Sequence, residues 1–262
     1  MLTACGERSA DAPANDTASP VVANEAAKPA TKPAPAAKPS KVEEETSLYN
    51  FTYNWSAEAA AIPELVKRFT ADKDKVKAEL VSDAKADRDE RLKEGFPFNA
   101  YETQKSYETA GETDRLLSLE LSVYSFTGGA HGSSGSGSLI CDRVLTREVS
   151  IHDMLLPGAS WTAAIRQPFC VLLNREREKR REEPVKPDDM FGNCPEYKEL
   201  TVIPADTDKN GRFDHLNVTA DQYVAGPYVE GDYEIALPVT AMMIERLKPE
   251  YRPSFEPRPG VK

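Results

Sequence analysis

An acidic segment at residues 206–214 has the residue types and spacing of a calcium-binding loop. Its potential oxygen ligands are Asp206, Asp208, Asn210 and Asp214. This spacing wraps a chain around one point, Gly211 occupies the glycine position of the pattern, and Ca²⁺ prefers oxygen ligands. However, Asn217 stands where a bidentate carboxylate is needed, and aspartate, asparagine and glycine are also common turn residues. The segment therefore predicts either a weak calcium site or a hairpin turn.

A glycine-rich turn at residues 127–132, Thr-Gly-Gly-Ala-His-Gly, contains one of the three histidines of the chain. Successive backbone N–H groups in such a turn can bind an anion, but the lysine and the following helix of a phosphate-binding loop are missing. Gly128 and Gly129 permit a positive φ and a close approach of neighbouring chain. We predict that His131 either orients the turn by a hydrogen bond to the backbone or contacts a ligand or partner.

A third candidate, residues 222–233, combines tyrosines with carboxylates. The residues of interest are Tyr223, Tyr228 and Glu230. Exposed tyrosines beside carboxylates can bind a glycan or the basic edge of a protein, because one end of the ring is apolar and the other is polar. The alternative is a structured loop whose tyrosines pack on a sheet.

No catalytic constellation is evident from these residues. The serines within residues 132–138 lack the G-x-S-x-G spacing and the strand–turn–helix context of a hydrolase nucleophile. The histidines are not spaced as a metal-binding triad. We therefore predict that the protein is not an enzyme, and a cell-wall hydrolase is kept as an alternative.

The elements that must position these residues follow from hydrophobic periodicity. Alternating apolar and polar residues predict strands, and apolar residues at helical spacing predict helices. The predicted strands are 49–55, 98–108, 115–127, 134–142, 147–150, 198–204, 212–219 and 230–237, and the predicted helices are 57–94, 151–155, 159–183 and one beginning at Pro238. Because most strands follow one another directly and the helices form separate blocks, the fold class is α+β, with antiparallel sheets packed against long helices.

Composition narrows the class of partner. The chain of 262 residues has a formal net charge of -10, and 29% of its residues are charged. Phosphate binding needs a basic face, so nucleic acid is excluded as the expected partner. The acidic balance favours solubility or a basic protein partner. No apolar run reaches the roughly 18 residues that a membrane span requires, so any contact with a membrane is expected through a lipid anchor only.

Three motifs together resemble a known family. They are the glycine-rich turn, Ile-His-Asp-Met-Leu at residues 151–155, and Tyr-Val-Ala-Gly-Pro-Tyr-Val-Glu-Gly at residues 223–231. They are similar to the PdaC/RsiV-like family of envelope lipoproteins, deacetylases and lysozyme-binding anti-sigma factors. The resemblance implies two subdomains, residues 43–126 and 127–262, and an affinity for a lysozyme-like protein or peptidoglycan. It does not imply deacetylation, which belongs to a separate catalytic domain of the PdaC-like proteins.

The N-terminal residues favour a lipid anchor. Leu-Thr-Ala-Cys at residues 2–5 has the spacing of a bacterial lipobox, which predicts lipidation of Cys5. The residues that follow are rich in alanine, proline and lysine, so residues 1–42 are predicted to be a lipobox and a disordered tether. By similarity to proteobacterial sorting, Gly6 favours the periplasmic face of the outer membrane.

The remaining cysteines include a candidate disulfide pair. Cys170 and Cys194 bracket a charged segment and could close a loop of about two dozen residues, which would stabilise the fold in an oxidising periplasm by roughly 3 kcal/mol. Taken together, the chain is predicted to be a lipid-anchored envelope binding module. The alternatives are a calcium-stabilised structural envelope protein and a hydrolase or deacetylase-related protein.

Overall fold

A computed structural model describes residues 37–186 and 188–260. Two sheets and several helices form an α+β fold, so the predicted fold class is confirmed. The lipobox with Cys5 and most of the predicted tether lie outside the described residues. Within the described residues, no helix is long and apolar enough to cross a membrane.

The first half of the chain forms most of a six-stranded sheet, in which the strands lie in chain order. The strands are β1 (Ser40–Glu45), β2 (Tyr49–Trp55), β3 (Tyr101–Glu112), β4 (Leu116–Phe126), β5 (Ser133–Asp142) and β6 (Arg147–Val149). Neighbouring strands are antiparallel except β2 and β3, which are parallel. The predicted antiparallel character of the sheets is confirmed for the other pairs, and β2 pairs in parallel with β3 because a long helix carries the chain back along the sheet between them.

That helix and its short predecessor are α1 (Ala57–Ala60) and α2 (Pro63–Glu94). The Ser56 hydroxyl accepts a hydrogen bond from Ala59 N and so caps α1, and proline at the first position of α2 needs no N–H partner. Gly95 ends α2 in the left-handed conformation. The apolar residues at helical spacing that predicted this helix include its buried residues, which are Leu65, Phe69, Leu80 and Ala84.

The second half of the chain adds helices and a three-stranded antiparallel sheet. The helices are α3 (Ile151–Met154), α4 (Thr162–Arg181) and α5 (Ala241–Glu245), and the strands are β7 (Thr201–Ala205), β8 (His215–Ala220) and β9 (Tyr233–Pro238). The predicted disulfide between Cys170 and Cys194 is present, with the Cα atoms 5.5 Å apart. It joins α4 to the segment that precedes β7.

The six-stranded sheet is shared between two hydrophobic cores, because successive residues of a strand point to opposite faces. In β4, Leu117 and Leu119 belong to the core that α2 covers, whereas Leu116 belongs to the core of the second half. The boundary predicted between residues 126 and 127 falls between β4 and β5, which are paired along the length of both strands. The two halves therefore share a sheet.

Strand β1 was not predicted, and it begins within the segment predicted as tether. Residues 40–42 pair with the end of β2. Lysine and glutamate occupy much of β1, so the sequence lacks the apolar signal of a buried strand. Charged residues are common on edge strands, where they discourage pairing with a further chain.

Candidate ligand-binding site

The glycine-rich turn joins β4 to β5 and needs its glycines for conformation and for space. Gly128 has a φ of +79°, a conformation that favours glycine, and Gly129 is exposed. A Cβ atom on Gly132 would lie 2.4 Å from the ring of Tyr124, so a larger residue there would require that ring to move. His131 Nδ1 lies 2.8 Å from the carbonyl oxygen of Gly132, which is the backbone contact that the sequence suggested.

The structure brings His131 together with two of the predicted tyrosines, which lie about 90 residues away in the chain. The rings of His131 and Tyr228 are stacked, with centroids 3.8 Å apart and planes inclined by 26°. Tyr223 Oη lies 3.3 Å from His131 Nε2, and 55% of Tyr223 is exposed. We call His131, Tyr223 and Tyr228 the aromatic patch. His131 contacts the backbone through Nδ1, and its ring lies against Tyr228. The two roles suggested for His131, a backbone contact and a partner contact, are therefore compatible.

Three arginines of α4 donate hydrogen bonds to residues 221–232, which we call the tyrosine loop. Arg177 is fully buried, and its Nε donates to the carbonyl oxygen of Ala225 at 2.8 Å. Arg180 donates to the carbonyl oxygens of Glu230 and Asp232. Burial lowers the pKa of Arg177, but an arginine starts so high that it stays charged. These arginines were not predicted from the sequence as part of a site, because their basic cluster is typical of a solvated helix face.

Glu230 is part of this support, since its carboxylate faces the protein. Arg181 donates to both of its oxygens, at 2.8 and 2.9 Å, and the Tyr233 hydroxyl donates to one of them. Burial alone would raise the pKa of Glu230, but the hydrogen bonds from Arg181 and Tyr233 hold it below its usual value. A contact between this carboxylate and a partner would have to compete with Arg181.

Two aspartates that the sequence analysis did not single out tie the tyrosine loop to β5. Asp221 accepts a hydrogen bond from Ser136 N at 3.2 Å. Asp232 accepts from Gln222 N at 2.9 Å and from the Ser134 hydroxyl at 3.3 Å. The loop is thus fixed at its ends by aspartates and along its length by arginines. Tyr223 has a φ of +67°, an uncommon conformation for a tyrosine, which these contacts hold in place.

Residues 206–214, which we call the acidic loop, join β7 to β8 in the predicted hairpin. Asp206 accepts hydrogen bonds from Asn210 N at 3.1 Å and Gly211 N at 2.8 Å, which is the behaviour of an aspartate in a turn. The loop also lies close to β3. A Cβ atom on Gly111 would lie 2.7 Å from Asp206 N, so this approach requires glycine.

The carboxylates of Asp208, Asp214 and Glu256 lie within 4.8 Å of one another, a spacing that could suit a metal ion. A cationic side chain already occupies the space between them, because Arg258 pairs with all three. Asp214 is 1% exposed. Burial opposes its charge, but hydrogen bonds from Thr207, His215 and Arg258 lower its pKa to about 2. These contacts agree with the hairpin-turn interpretation, and calcium binding stays a prediction.

A family model matches a segment that lies mostly in the first half of the chain. Residues 42–134 match the family model described as Deacetylase PdaC. The predicted resemblance to the PdaC/RsiV-like family is confirmed by this match. Among curated proteins, none is significantly similar to the chain. The PdaC match includes Gly128, Gly129 and His131 but not the tyrosine loop, so it covers only one side of the aromatic patch.

Solved structures resemble a larger part of the chain. A member of the DUF3298 family from Bacteroides fragilis has a TM-score of 0.51 and 16% identity, over 82% of this chain and 95% of that chain. A DUF3298 family protein from Pseudomonas aeruginosa has a TM-score of 0.49 and 18% identity, over 84% of this chain and 97% of that chain. At 16% identity, the likeness to the first structure shows a shared fold and carries no information about activity.

Proposed function

We propose that this protein is a cell-envelope binding module, and not an enzyme, whose contact surface is the aromatic patch. The observation that supports this proposal is the stacking of His131 on Tyr228 beside the exposed ring of Tyr223. Tyrosines held in one conformation contribute much to binding, because little conformational freedom remains to be lost. The arginines and aspartates beneath the tyrosine loop supply that rigidity.

The partner we propose is a lysozyme-like protein or the glycan of peptidoglycan. The net charge of -10 favours a basic protein, since opposite charges accelerate the encounter of two proteins. Val229 is 88% exposed next to Tyr228 and adds apolar area to the surface. Tyrosine rings also suit the flat faces of sugars, which have an apolar side and polar edges.

We further propose that a lipid on Cys5 holds the module at the periplasmic face of the outer membrane. The lipobox spacing and the alanine- and proline-rich residues after it support this location. Mass spectrometry of the protein extracted from host membranes tests the proposal. A diacylglycerol mass on Cys5 that is lost in Cys5→Ala is expected, and an unmodified Cys5 would contradict it.

Calorimetric titration of the full chain with a c-type lysozyme tests the proposed partner. Binding in the micromolar range or tighter is expected at low salt and should weaken at physiological salt, because exposed charges are screened. Tyr223→Ala should weaken binding by roughly tenfold or more. Leu145→Ala is the control, because Leu145 is 43% exposed and follows the end of β5 that is opposite to the glycine-rich turn.

Purified peptidoglycan fragments form the second arm of the same titration. Binding of fragments but not lysozyme would assign the patch to a glycan. No binding of either partner at either salt concentration would overturn the proposed function, as would equal losses in Tyr223→Ala and Leu145→Ala.

A further inference from the structure

A polar cavity of about 230 Å³ lies beside the aromatic patch, between the six-stranded sheet and the edge of the three-stranded sheet. Residues that decide its chemistry are Asn54, Glu120, Ser136, Thr219, Asp232 and Glu234. The wall formed by the six-stranded sheet is polar, because Glu120 of β4 and Ser136 of β5 alternate along their strands with residues that face α2. The cavity is below the range of about 300–1,000 Å³ that drug-sized ligands need, but it exceeds the roughly 30 Å³ of one water. It therefore suits a single small polar unit.

The charge of the cavity is negative. Glu120, Asp232 and Glu234 contribute carboxylates to its walls. Lys105 also borders the cavity, but its ammonium group lies 2.6 Å from Asp72 of α2, on the other face of the sheet. Burial raises the pKa of Glu120, and the carboxylates of Glu234 and Glu108 raise it further. A positive group in the cavity would relieve this repulsion.

Two oxygen atoms on the walls lack the partners that buried polar atoms usually have. Asn54 Oδ1 and Ser136 Oγ are buried and accept or donate no hydrogen bond among the described residues. They belong to β2 and β5, so they lie on different parts of the sheet wall. A buried polar atom without a partner costs about 1–3 kcal/mol, which a bound hydroxyl or amine group can recover.

Tyr124 connects the cavity to the aromatic patch. Its ring packs against Gly132 of the glycine-rich turn, and its side chain also borders the cavity. Ser134 and Asp232, which are hydrogen-bonded to each other, stand at the same border. A ligand chain lying across the aromatic patch could therefore place one unit in the cavity.

From these observations we propose that the cavity binds an amino sugar with a free ammonium group, as one unit of a glycan. The carboxylates neutralise the ammonium, and the hydroxyl and amide groups of the walls pair with the sugar hydroxyls. A lysine side chain would bring its ammonium group alone, whereas a sugar unit also brings hydroxyls that can pair with Asn54 Oδ1 and Ser136 Oγ. This inference rests on the proposed binding function and extends the case in which the partner is the glycan of peptidoglycan.

The test is calorimetric titration of the full chain with two trisaccharides, the β-1,4-linked trimers of glucosamine and of N-acetylglucosamine. The glucosamine trimer should bind roughly tenfold more tightly, because acetylation removes its charge. Glu120→Gln should reduce that preference, because it removes one of the three carboxylates, and should not lower the melting temperature, since the charge of Glu120 is itself opposed by burial. Glu79→Gln, on the solvated face of α2, is the control with the same charge change.

Several outcomes would overturn this assignment. They are a preference that Glu120→Gln leaves unchanged, equal binding of the two trimers, no binding at millimolar concentration, and binding of lysine methyl ester as tight as that of the glucosamine trimer. Its failure is distinguishable from that of the proposed function. Lysozyme binding should be weakened in Tyr223→Ala and retained in Glu120→Gln, whether or not the trisaccharides bind.

Discussion

The acidic loop and the tyrosine loop are both rich in polar side chains, but the fold uses those side chains differently. In the acidic loop, the carboxylates of Asp208 and Asp214 point at Arg258, and that of Asp206 accepts hydrogen bonds from its own turn. In the tyrosine loop, the carboxylates and the backbone bind inward, while the ring of Tyr223 stays exposed.

This difference separates a structural loop from a binding loop. A loop whose polar groups satisfy one another has little left to offer a ligand. A loop that is fixed by buried contacts and keeps aromatic surface exposed can bind without losing much conformational freedom. The sequence motif is sharper in the acidic loop, yet the geometry favours the tyrosine loop as the contact surface.

The largest expected effect is a loss of stability caused by a substitution in the acidic loop. Asp214→Asn should lower the free energy of unfolding by about 3 kcal/mol, because it leaves Arg258 without its buried partner. Asp208→Asn is the control. Its side chain is 43% exposed, so a loss of less than about 1 kcal/mol is expected. Urea denaturation measures both variants, and equal losses would show that burial of Asp214 is not what makes the loop structural.

The next effect is the pH dependence of stability. The pKa of Asp214 is 3.8 in its reference state and about 2 in the folded protein, so folding favours the ionised form. The resulting stabilisation, about 2 kcal/mol, is complete above about pH 5 and is lost progressively as the pH falls through about 2. Urea denaturation between pH 2 and 6 should show this loss in the wild type and a smaller one in Asp214→Asn. Identical pH profiles would contradict the assignment.

A smaller effect on stability is expected from the support of the tyrosine loop. Arg181→Met removes two charge-assisted hydrogen bonds to Glu230 and should cost about 2 kcal/mol or less, because both side chains are 14% exposed. Amides of the tyrosine loop should exchange faster with deuterium, and affinity for the partner should fall although Arg181 is not in the aromatic patch.

Lys179→Met is the matched control for that experiment. Lys179 lies on the same helix with a side chain that is 78% exposed. If amide exchange with deuterium in the tyrosine loop is unchanged in Arg181→Met, the rigidity of the loop does not depend on Glu230. The same conclusion follows if exchange is equally faster in Lys179→Met.

The smallest effect is expected from calcium. Arg258 already lies among the carboxylates, so 1 mM Ca²⁺ should raise the melting temperature by less than about 1 °C. Differential scanning fluorimetry with and without EDTA measures the shift. A larger rise that Asp208→Ala abolishes would establish the alternative of a calcium-stabilised structural protein.

Local sequence patterns were sufficient to predict most of the helices and strands. Periodicity placed the long helix α2 and most of the strands, and the spacing of Cys170 and Cys194 allowed the disulfide. The motifs also placed His131, Tyr223 and Tyr228 among the candidates. These predictions succeeded because they depend on neighbours in the chain, such as the residue at the next helical turn or on the same face of a strand.

Only the tertiary structure decided how those elements and candidates combine. Arg258 reaches Asp214 across 44 residues, and Arg177 reaches Ala225 across 48 residues. The parallel pairing of β2 with β3 and the edge strand β1 depend in the same way on packing between distant segments. The sequence determined which side chains are available, because residue type is local. The fold determined which are satisfied internally and which face solvent, because partners are chosen by proximity in space.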